Sequence, residues 1–446
     1  MEEVFSSEEL ERVARKTGFC KRKSKVDPSV FFNLLVNDIG TEKPGSLTHM
    51  AIEALSEHDI VVSKQGLDKK FSDETLVFLK SLIEKQLSVK LDQQIEAGWL
   101  SSFTRVIIKD GTRFDLPEEY KDYLPGSGGS ASKAGACIQF EFDFKSGQIN
   151  HLGVTESSRP DVKDAIEVLD TVACNDLVIR DLGYYAFDSF VNISNKGAFY
   201  ISRLRPKACV YEMKSGILER LDFKRLYTKM KKEKLSRLDK PVFIGGTEKM
   251  PVRLSIELMP EDVYEQRIRK TVKVQQKKGY KTSEDYKFMC RFNLFITNVP
   301  EELLPIEIIS TLYRIRWQIE LVFKIFKSTI GIHHTSKMKY KRWLCLLYVK
   351  LLIIIINWNI IMAQRNYTYK WKGKLLSLNK CFKTLTDNNN RLRAAIKQGV
   401  RGIRSYMIWV DKMLKENHWL EKKNKAKGLE DLIYTMFCKS NKYAYI

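Results

Sequence analysis

The chain has 446 residues, enough for two or three domains, and carries a formal net charge of +22. Such an excess of positive charge predicts a polyanionic partner, either nucleic acid or an anionic membrane surface. No signal peptide, lipidation motif or spanning helix is evident, so we expect nucleic acid as the partner, a cytoplasmic location and no membrane.

Residues 1–95 have the pattern of a helical DNA-binding domain. Ser6-Ser-Glu-Glu begins a helix with a capping box, and segment 62–70 resembles a helix-turn-helix reader. The region has 14 basic and 16 acidic side chains. DNA contact there must therefore depend on local basic clusters, at 12–25 and 64–70.

Two short segments rich in β-branched residues end in an acid. Residues 104–110 read Thr-Arg-Val-Ile-Ile-Lys-Asp, and residues 176–181 read Asp-Leu-Val-Ile-Arg-Asp. In both, a basic residue precedes the acid and a glycine follows within two positions, which indicates a strand finished by a turn. A strand ending in Asp brings a carboxylate to the rim of a sheet, where α/β proteins form sites. The common alternative is an Asp that caps a turn.

The elements around Asp110 and Asp181 predict an α/β fold. We expect strands and helices in this order: a strand ending at Asp110, strands at 136–144 and 148–155, a helix at 161–172 with Ile166 and Leu169 inward, a strand ending at Asp181, a helix at 186–195 and a strand at 198–204. This is the order of a ribonuclease H-like core, a mixed sheet flanked by helices. The Gly-rich segment 125–130 lacks the end of a P-loop and is interpreted as a connection.

A later helical pattern gathers polar residues on one face. At about 100° per residue, Tyr313, Arg316, Glu320 and Lys327 lie together, opposite an apolar face. A solvated face with an ordinary Glu320–Lys324 pair is the simpler interpretation of this segment alone. Together with the two upstream aspartates, Glu320 instead suggests a metal-binding acid held among cations beside a polyphosphate.

Asp110-Gly-Thr, Asp181-x-Gly-Tyr and Tyr313-x2-Arg316-x3-Glu320-x6-Lys327 resemble the signature of DDE transposases from bacterial insertion sequences. The branch is the one with the Y-R-E-K motif, and the resemblance covers about residues 60 to 365. It implies a ribonuclease H-like core at 96–205 and 296–365, interrupted by a β-rich insertion at 206–295. The following stretch, Leu351 to Gln364, is apolar and suits a buried helix rather than a membrane span.

The insertion and the tail are basic. Residues 203–287 contain 23 Lys and Arg against 12 Asp and Glu, which fits binding of DNA phosphates or simply a solvated surface of a basic protein. The family has a base-flipping Trp near the end of its insertion, where this chain offers only Phe292. Trp317 matches the family more closely. The basic helical region 366–446 is expected to support a homodimer on paired DNA ends.

By the same resemblance, Asp110, Asp181 and Glu320 are the catalytic residues and the ligands of two Mg²⁺ ions, for which Mn²⁺ can substitute. The DNA-binding residues are Tyr313, Arg316, Trp317, Lys324 and Lys327. The implied enzyme binds terminal inverted repeats, cuts the element's ends through a hairpin and joins the 3′-hydroxyl ends to target DNA. Its expected location is the bacterial cytoplasm, in association with the nucleoid.

Two alternatives remain open from the sequence. A ribonuclease H-like, structure-specific DNA nuclease has the same acids and metals but needs no strand transfer. A catalytically inactive DNA-binding descendant needs no chemistry at all. Metal-dependent nicking separates an enzyme from a binder, and joining to a second duplex separates a transposase from a nuclease.

Overall fold

The computed structural model describes residues 6–420 except 40, 42, 92–93, 95–97, 130, 207 and 280–281. The last part of the expected C-terminal region, residues 421–446, therefore lies outside the described residues.

Ten described strands form one mixed sheet. They are β1 (Val106–Leu116), β2 (Ala134–Asp143), β3 (Ile149–Glu156), β4 (Leu177–Arg180), β5 (Phe199–Arg203), β6 (Val210–Lys214), β7 (Ile217–Arg220), β8 (Arg237–Ile244), β9 (Met250–Leu258) and β10 (Phe292–Thr297). Their order across the sheet is β3-β2-β1-β4-β5-β10-β9-β8-β6-β7. Strands β1, β4 and β5 are mutually parallel, and β2 and β3 extend the sheet antiparallel. The predicted mixed sheet flanked by helices is confirmed, and its first five strands are compatible with a ribonuclease H-like core.

The described helices surround this sheet. They are α1 (Ser7–Lys16), α2 (Pro28–Asp38), α3 (Leu47–His58), α4 (Lys64–Asp68), α5 (Asp73–Leu87), α6 (Asp161–Glu167), α7 (Phe187–Asn195), α8 (Phe223–Lys232), α9 (Glu261–Lys278), α10 (Glu284–Met289), α11 (Ile306–Arg314), α12 (Trp317–Ser328), α13 (Tyr340–Lys372), α14 (Leu378–Asp387), α15 (Asn389–Lys397) and α16 (Gly399–Asn417).

Side-chain caps fix where the N-terminal helices begin. In each of α1 to α5 a Ser or Asp precedes the helix, and its side-chain oxygen accepts a hydrogen bond from a backbone N–H of the first turn. The expected helix-turn-helix segment contains only α4, a helix of five residues. At least one basic side chain of this segment already has hydrogen-bond partners inside the protein, because Lys70 Nζ donates to Ser24 Oγ and to the Val26 carbonyl.

The two faces of the sheet pack against separate cores. Alternation along β1 sends Ile108 to the face covered by α12 and α13, and sends Ile107 to the face covered by α7 and α8. On the first face, Trp358 of α13 is fully buried against Phe140 and Phe142 and donates from Nε1 to the Gly147 carbonyl at 2.6 Å.

Helix α13 is the one described helix long and apolar enough to cross a membrane by length and composition. However, 94% of its most apolar window is buried inside the protein. The prediction of a buried helix at 351–364 is therefore confirmed.

The expected helix at 161–172 is wrong in its length. The helix that begins at Asp161 ends at Glu167, where a 3₁₀ turn follows, so Ile166 is exposed while Leu169 is buried as expected. The segment 206–295, expected to be a β-rich insertion, holds four complete strands, the beginning of β10 and three helices. Its strands continue the same sheet, because β10 lies between β5 and β9. The expected boundary at 365/366 falls inside α13.

Candidate active site

Asp110 and Asp181 lie side by side at one end of the parallel strands. The pairing of β1 with β4 ends at Lys109 opposite Arg180, so each acid is the next residue after the last paired position. Asp181 directly follows β4, as expected. Asp110, in contrast, does not end its strand, because β1 continues to Leu116. Both acids therefore reach the edge formed by the carboxyl end of β4, where α/β sheets place their sites.

Gly111 is part of this strand and not of a turn. It pairs with Gln139 in β2, and a Cβ at this position would lie 3.0 Å from Cys137 Sγ and 3.1 Å from Gln139 Nε2. Its backbone N–H donates to Asp110 Oδ1 at 2.8 Å. The glycine therefore allows close approach of neighbouring side chains and helps to orient the Asp110 carboxylate.

Glu320 is in the first turn of α12. The expected single helix from Tyr313 to Lys327 is wrong, because α11 ends at Arg314 and α12 begins at Trp317. Across the break, the N–H groups of Ile315, Arg316, Gln318 and Ile319 each donate to the carbonyl three residues earlier, a 3₁₀-like turn. Arg316, within this turn, and Glu320, in the helix that follows, still contact each other.

The three acids converge on the guanidinium of Arg316. Its Nη1 lies 2.9 Å from Asp110 Oδ2, its Nη2 lies 2.8 Å from Glu320 Oε1, and its Nε lies 3.8 Å from Asp181 Oδ1. The Arg316 side chain is only 8% exposed. Glu320 thus pairs with Arg316 and not with Lys324, which excludes the simple surface pair considered from the sequence.

Burial and neighbouring charges shift the pKa values of Asp110 and Arg316. Burial raises the pKa of Asp110 to about 6, with Asp181 and Glu320 adding to the rise, although the Gly111 N–H and Arg316 oppose it. Burial works against the charge on Arg316, but the neighbouring Asp181 and Asp110 carboxylates raise its pKa above the ordinary value. The cluster is therefore a tightly coupled set of charges in a partly desolvated site.

The expected DNA-binding residues have different environments. Tyr313 is buried, its hydroxyl lies 3.5 Å from Asp181 Oδ1, and burial raises its pKa to about 12. Trp317 is 53% exposed beside Arg316. Lys327 donates to the Arg113 carbonyl on β1 at 2.9 Å. Lys324 is exposed on the rim of a separate cleft of about 270 Å³ beside α13 and α14.

Phe292 cannot stack on a base in this structure. It is only 3% exposed and packs against Phe223 and Tyr227 under the sheet. The sequence suggested it only by its position in the chain, which carries no information on burial.

Sequence reasoning missed a chain of polar contacts beside Asp110. The Tyr184 hydroxyl donates to Gln139 Oε1 at 2.7 Å, and Gln139 Nε2 donates to Asp161 Oδ1 at 3.1 Å. Arg113 Nη2 donates to the same Asp161 oxygen at 2.6 Å. Burial raises the pKa of Tyr184. The Gly-Tyr pair shortly after Asp181 was the sequence feature that could have indicated these contacts.

The carboxylates of Asp110, Asp181 and Glu320 have the chemistry that suits a divalent cation. Carboxylate oxygens are the ligands preferred by Mg²⁺ and Mn²⁺, and one Asp carboxylate here is destabilised by burial. Across the described part of the chain, no three acidic, His or Cys side chains are grouped as a ready metal site, because Arg316 lies among the three acids.

The sheet order and the convergent acids are compatible with a ribonuclease H-like α/β domain that carries an acidic triad. The sequence model described as "Transposase DDE domain" matches residues 101–356, more than half of the chain, and the chain belongs to this family.

Similar proteins cover nearly the whole chain. The transposase for insertion sequence element IS231E of Bacillus thuringiensis subsp. finitimus is 30% identical over 98% of this chain and 95% of that protein. That for IS231B of Bacillus thuringiensis subsp. berliner is 29% identical over 96% and 92%. That for IS1151 of Clostridium perfringens is 26% identical over 90% and 87%. The predicted resemblance to transposases of bacterial insertion sequences is confirmed.

Proposed function

We propose that the chain is a DNA transposase of the Y-R-E-K branch, which binds the terminal inverted repeats of its insertion sequence, cuts the ends and joins them to target DNA. The observation that carries the proposal is the convergence of Asp110, Asp181 and Glu320, from three separate elements, on one guanidinium. All three acids lie within the segment matched by the family.

In this proposal the three acids hold two Mg²⁺ ions, or Mn²⁺ in their place. When bound, such ions activate the attacking oxygen and stabilise the leaving oxygen of a phosphodiester. Arg316 has to move away from the carboxylates for the ions to bind. A DNA phosphate offers its guanidinium a new bidentate partner, so binding of DNA and of metal support each other.

The other site residues act on DNA. Arg316 grips a phosphate as a planar fork, while Lys324 and Lys327 act as point charges. Tyr313 holds its hydroxyl against Asp181 and limits the position of that acid. Trp317, with more than half of its surface exposed, offers an aromatic face on which a base can stack.

The proposed reaction is a series of displacements at phosphorus. Water attacks the phosphodiester at the element's end, the bond to the 3′-oxygen breaks, and that oxygen takes a proton to leave a free 3′-hydroxyl. The 3′-hydroxyl then attacks a phosphodiester of the opposite strand to form a hairpin, and the bond to the 3′-oxygen of the flanking DNA breaks as that oxygen takes a proton. Water attacks the hairpin phosphodiester and expels the element's 3′-oxygen, again as a 3′-hydroxyl. This 3′-hydroxyl finally attacks a phosphodiester of target DNA, whose own 3′-oxygen leaves and takes a proton. The Y-R-E-K spacing supports this hairpin route.

A homodimer on paired DNA ends, in the bacterial cytoplasm, completes the proposal. Large apolar side chains on the C-terminal helices support self-association, since Trp371 at the end of α13 is 68% exposed and Ile408 of α16 is 67% exposed.

The test is a Mg²⁺-dependent cleavage assay on DNA that carries the inverted repeats flanking the gene. Asp110→Asn removes one proposed ligand, and Asp115→Asn is the matched control, an exposed acid on the same strand. We expect the wild type and the Asp115 variant to cut and to join ends to a second duplex, and the Asp110 variant to bind DNA without cutting.

Cutting without joining would favour a structure-specific nuclease. DNA binding without any cutting by the wild type would favour an inactive descendant. Cutting by the Asp110 variant at the wild-type rate would contradict the assignment of the acid.

A further inference from the structure

A row of charged residues crosses the sheet one position before the acids. Lys109 of β1 pairs with Glu141 of β2 on one side and with Arg180 of β4 on the other, and Glu141 pairs in turn with His151 of β3. We call these four residues, together with Asp164 of α6 above them, the charged rung. Lys109 and Arg180 are the two basic residues that immediately precede Asp110 and Asp181 in the sequence.

The charged rung lies on the opposite face of the sheet from the acids. Successive side chains of a strand alternate between faces, so Lys109 points to the side covered by α6 while Asp110 points to the side of Arg316. Lys109 and Glu141 are fully buried, and Arg180 is 6% exposed. None of these residues contacts the proposed reacting groups, so the acid chemistry does not explain them.

Specific contacts hold the rung together. Lys109 Nζ lies 2.5 Å from Asp164 Oδ2, and His151 Nε2 lies 3.6 Å from Asp164 Oδ1. Arg180 Nη2 donates to Glu141 Oε2 at 3.2 Å, and the Thr171 hydroxyl donates to Glu141 Oε1 at 3.2 Å. Arg180 Nη1 also donates to the Ala165 carbonyl. Each buried cation thus has an acid of its own.

The ionisation of the rung agrees with this pairing. Burial alone would raise the pKa of Asp164, but His151 and Lys109 together lower it to about 2. Two adjacent cations in a dry interior are costly unless both acids are present.

Apolar side chains at the positions of the charged rung would pack equally well, but they would not define the register of β4 against β1. Strand β4 has only four residues, all paired with β1 and three of them also paired with β5, so backbone pairing holds its alignment over a short length only. A slip by one residue would move Asp181 by about 3.3 Å and turn alternate side chains to the other face. In a slipped register Arg180 would lose Glu141, whereas Val or Ile side chains would find new neighbours.

We propose that the charged rung is a positioning device that locks β1 against β4 and so sets the spacing of Asp110 and Asp181 for metal binding. The inference rests on the proposed function, because it takes the two aspartates as metal ligands. Its residues are positioning residues, since they act only through the acids. Outer-shell groups of this kind typically change metal affinity by about 10- to 100-fold when they are removed.

The test compares two double variants of the full-length chain. Lys109→Met with Asp164→Asn removes one pair of the rung without leaving a buried charge alone. Arg105→Met with Asp176→Asn is the matched control. This pair also links β1 and β4, through a hydrogen bond of 2.9 Å from Arg105 Nε to Asp176 Oδ1, but at the opposite end of the strands.

Mn²⁺ binding is measured by calorimetry without DNA, beside the unfolding free energy and the affinity for end DNA. We expect both double variants to lose stability, and only the rung variant to bind Mn²⁺ at least about 10-fold more weakly, with DNA affinity unchanged. Arg180→Met with Glu141→Gln tests the other half of the rung if the first variant does not fold.

Equal losses of Mn²⁺ affinity in the rung and control variants, or no loss in the rung variants, would overturn the inference. A wild type that binds Mn²⁺ in the expected pattern but does not cut DNA would contradict the proposed function and leave the positioning role standing. A wild type that binds no Mn²⁺ without DNA, and none when end DNA is added, would overturn both.

Discussion

Replacement of Arg316 by Met tests whether its guanidinium is the internal counterion of the three acids. The variant keeps most of the side-chain length and removes the charge, so that Asp110, Asp181 and Glu320 face one another without a cation. Breaking a buried ion pair costs about 3–5 kcal/mol. Two of these acids are more than a third exposed, Glu320 at 38% and Asp181 at 44%, so solvent screens part of the repulsion.

Proton uptake by Asp110, with its pKa already raised to about 6, relieves a further part of the repulsion. We therefore expect Arg316→Met to lower the unfolding free energy by about 2 kcal/mol at neutral pH in EDTA, which is below the full cost of an unpaired buried charge because of this screening and proton uptake. Equilibrium urea unfolding measures this difference.

Added Mg²⁺ should then stabilise the Arg316 variant more than the wild type, because the ion no longer competes with a guanidinium for the carboxylates. Arg253→Met is the control: the Arg253 side chain is only 14% exposed and is also paired with an acid, Asp239, in strands β8 and β9 away from the triad. Its variant should lose stability without any gain in the response to Mg²⁺. An Arg316 variant as stable as the wild type, or with the same Mg²⁺ response, would refute the counterion role.

Three further predictions concern single side chains. Trp317→Ala should weaken binding of end DNA by about 1–3 kcal/mol in a fluorescence titration and leave folding unchanged. Burial raises the pKa of Asp38 to about 6, above about 3.9 for an unfolded chain. The folded state therefore holds this proton more tightly, and stability falls as the pH rises between these values. Asp38→Asn should accordingly be more stable than the wild type by about 1–3 kcal/mol near pH 8 and similar near pH 3 in urea unfolding. Trp358→Phe should cost about 2–3 kcal/mol, measured in the same way, because it leaves the Gly147 carbonyl unpaired and a small cavity.

The candidate acids could be identified from the sequence because each lies within a recognisable local pattern. Asp181 follows a short strand with three consecutive apolar residues, and Glu320 lies on a polar face opposite a regular apolar one, so the local patterns are informative. The break between α11 and α12 was invisible in the same periodicity, since a 3₁₀-like turn hardly disturbs the pattern of faces. Only the fold reveals that this break places Arg316 among the acids.

Contacts between distant segments were not predictable. Gly111 looked like a turn residue, but its role is to admit Cys137 and Gln139 from a neighbouring strand. Phe292 looked available for DNA, but its burial is set by α8, which no local pattern connects to it. The basic residues before the two aspartates were noticed as a repeated pattern, yet their partners Glu141 and Asp164 come from other elements.

Helix α13 has a consequence for shortened copies of the gene. Its first turn pairs with the N-terminal helices through Arg342 and Asp68, its centre packs Trp358 against the sheet, and its later part donates from Asn366 to the Ser146 carbonyl. Helix α13 therefore joins the regions before and after the sheet into one folded unit. A chain that stops before Tyr340 leaves the apolar surfaces of α5 and the sheet exposed, so we expect an aggregating fragment and not a smaller folded protein. Loss of the 3′ end of the gene thus removes the protein as a whole.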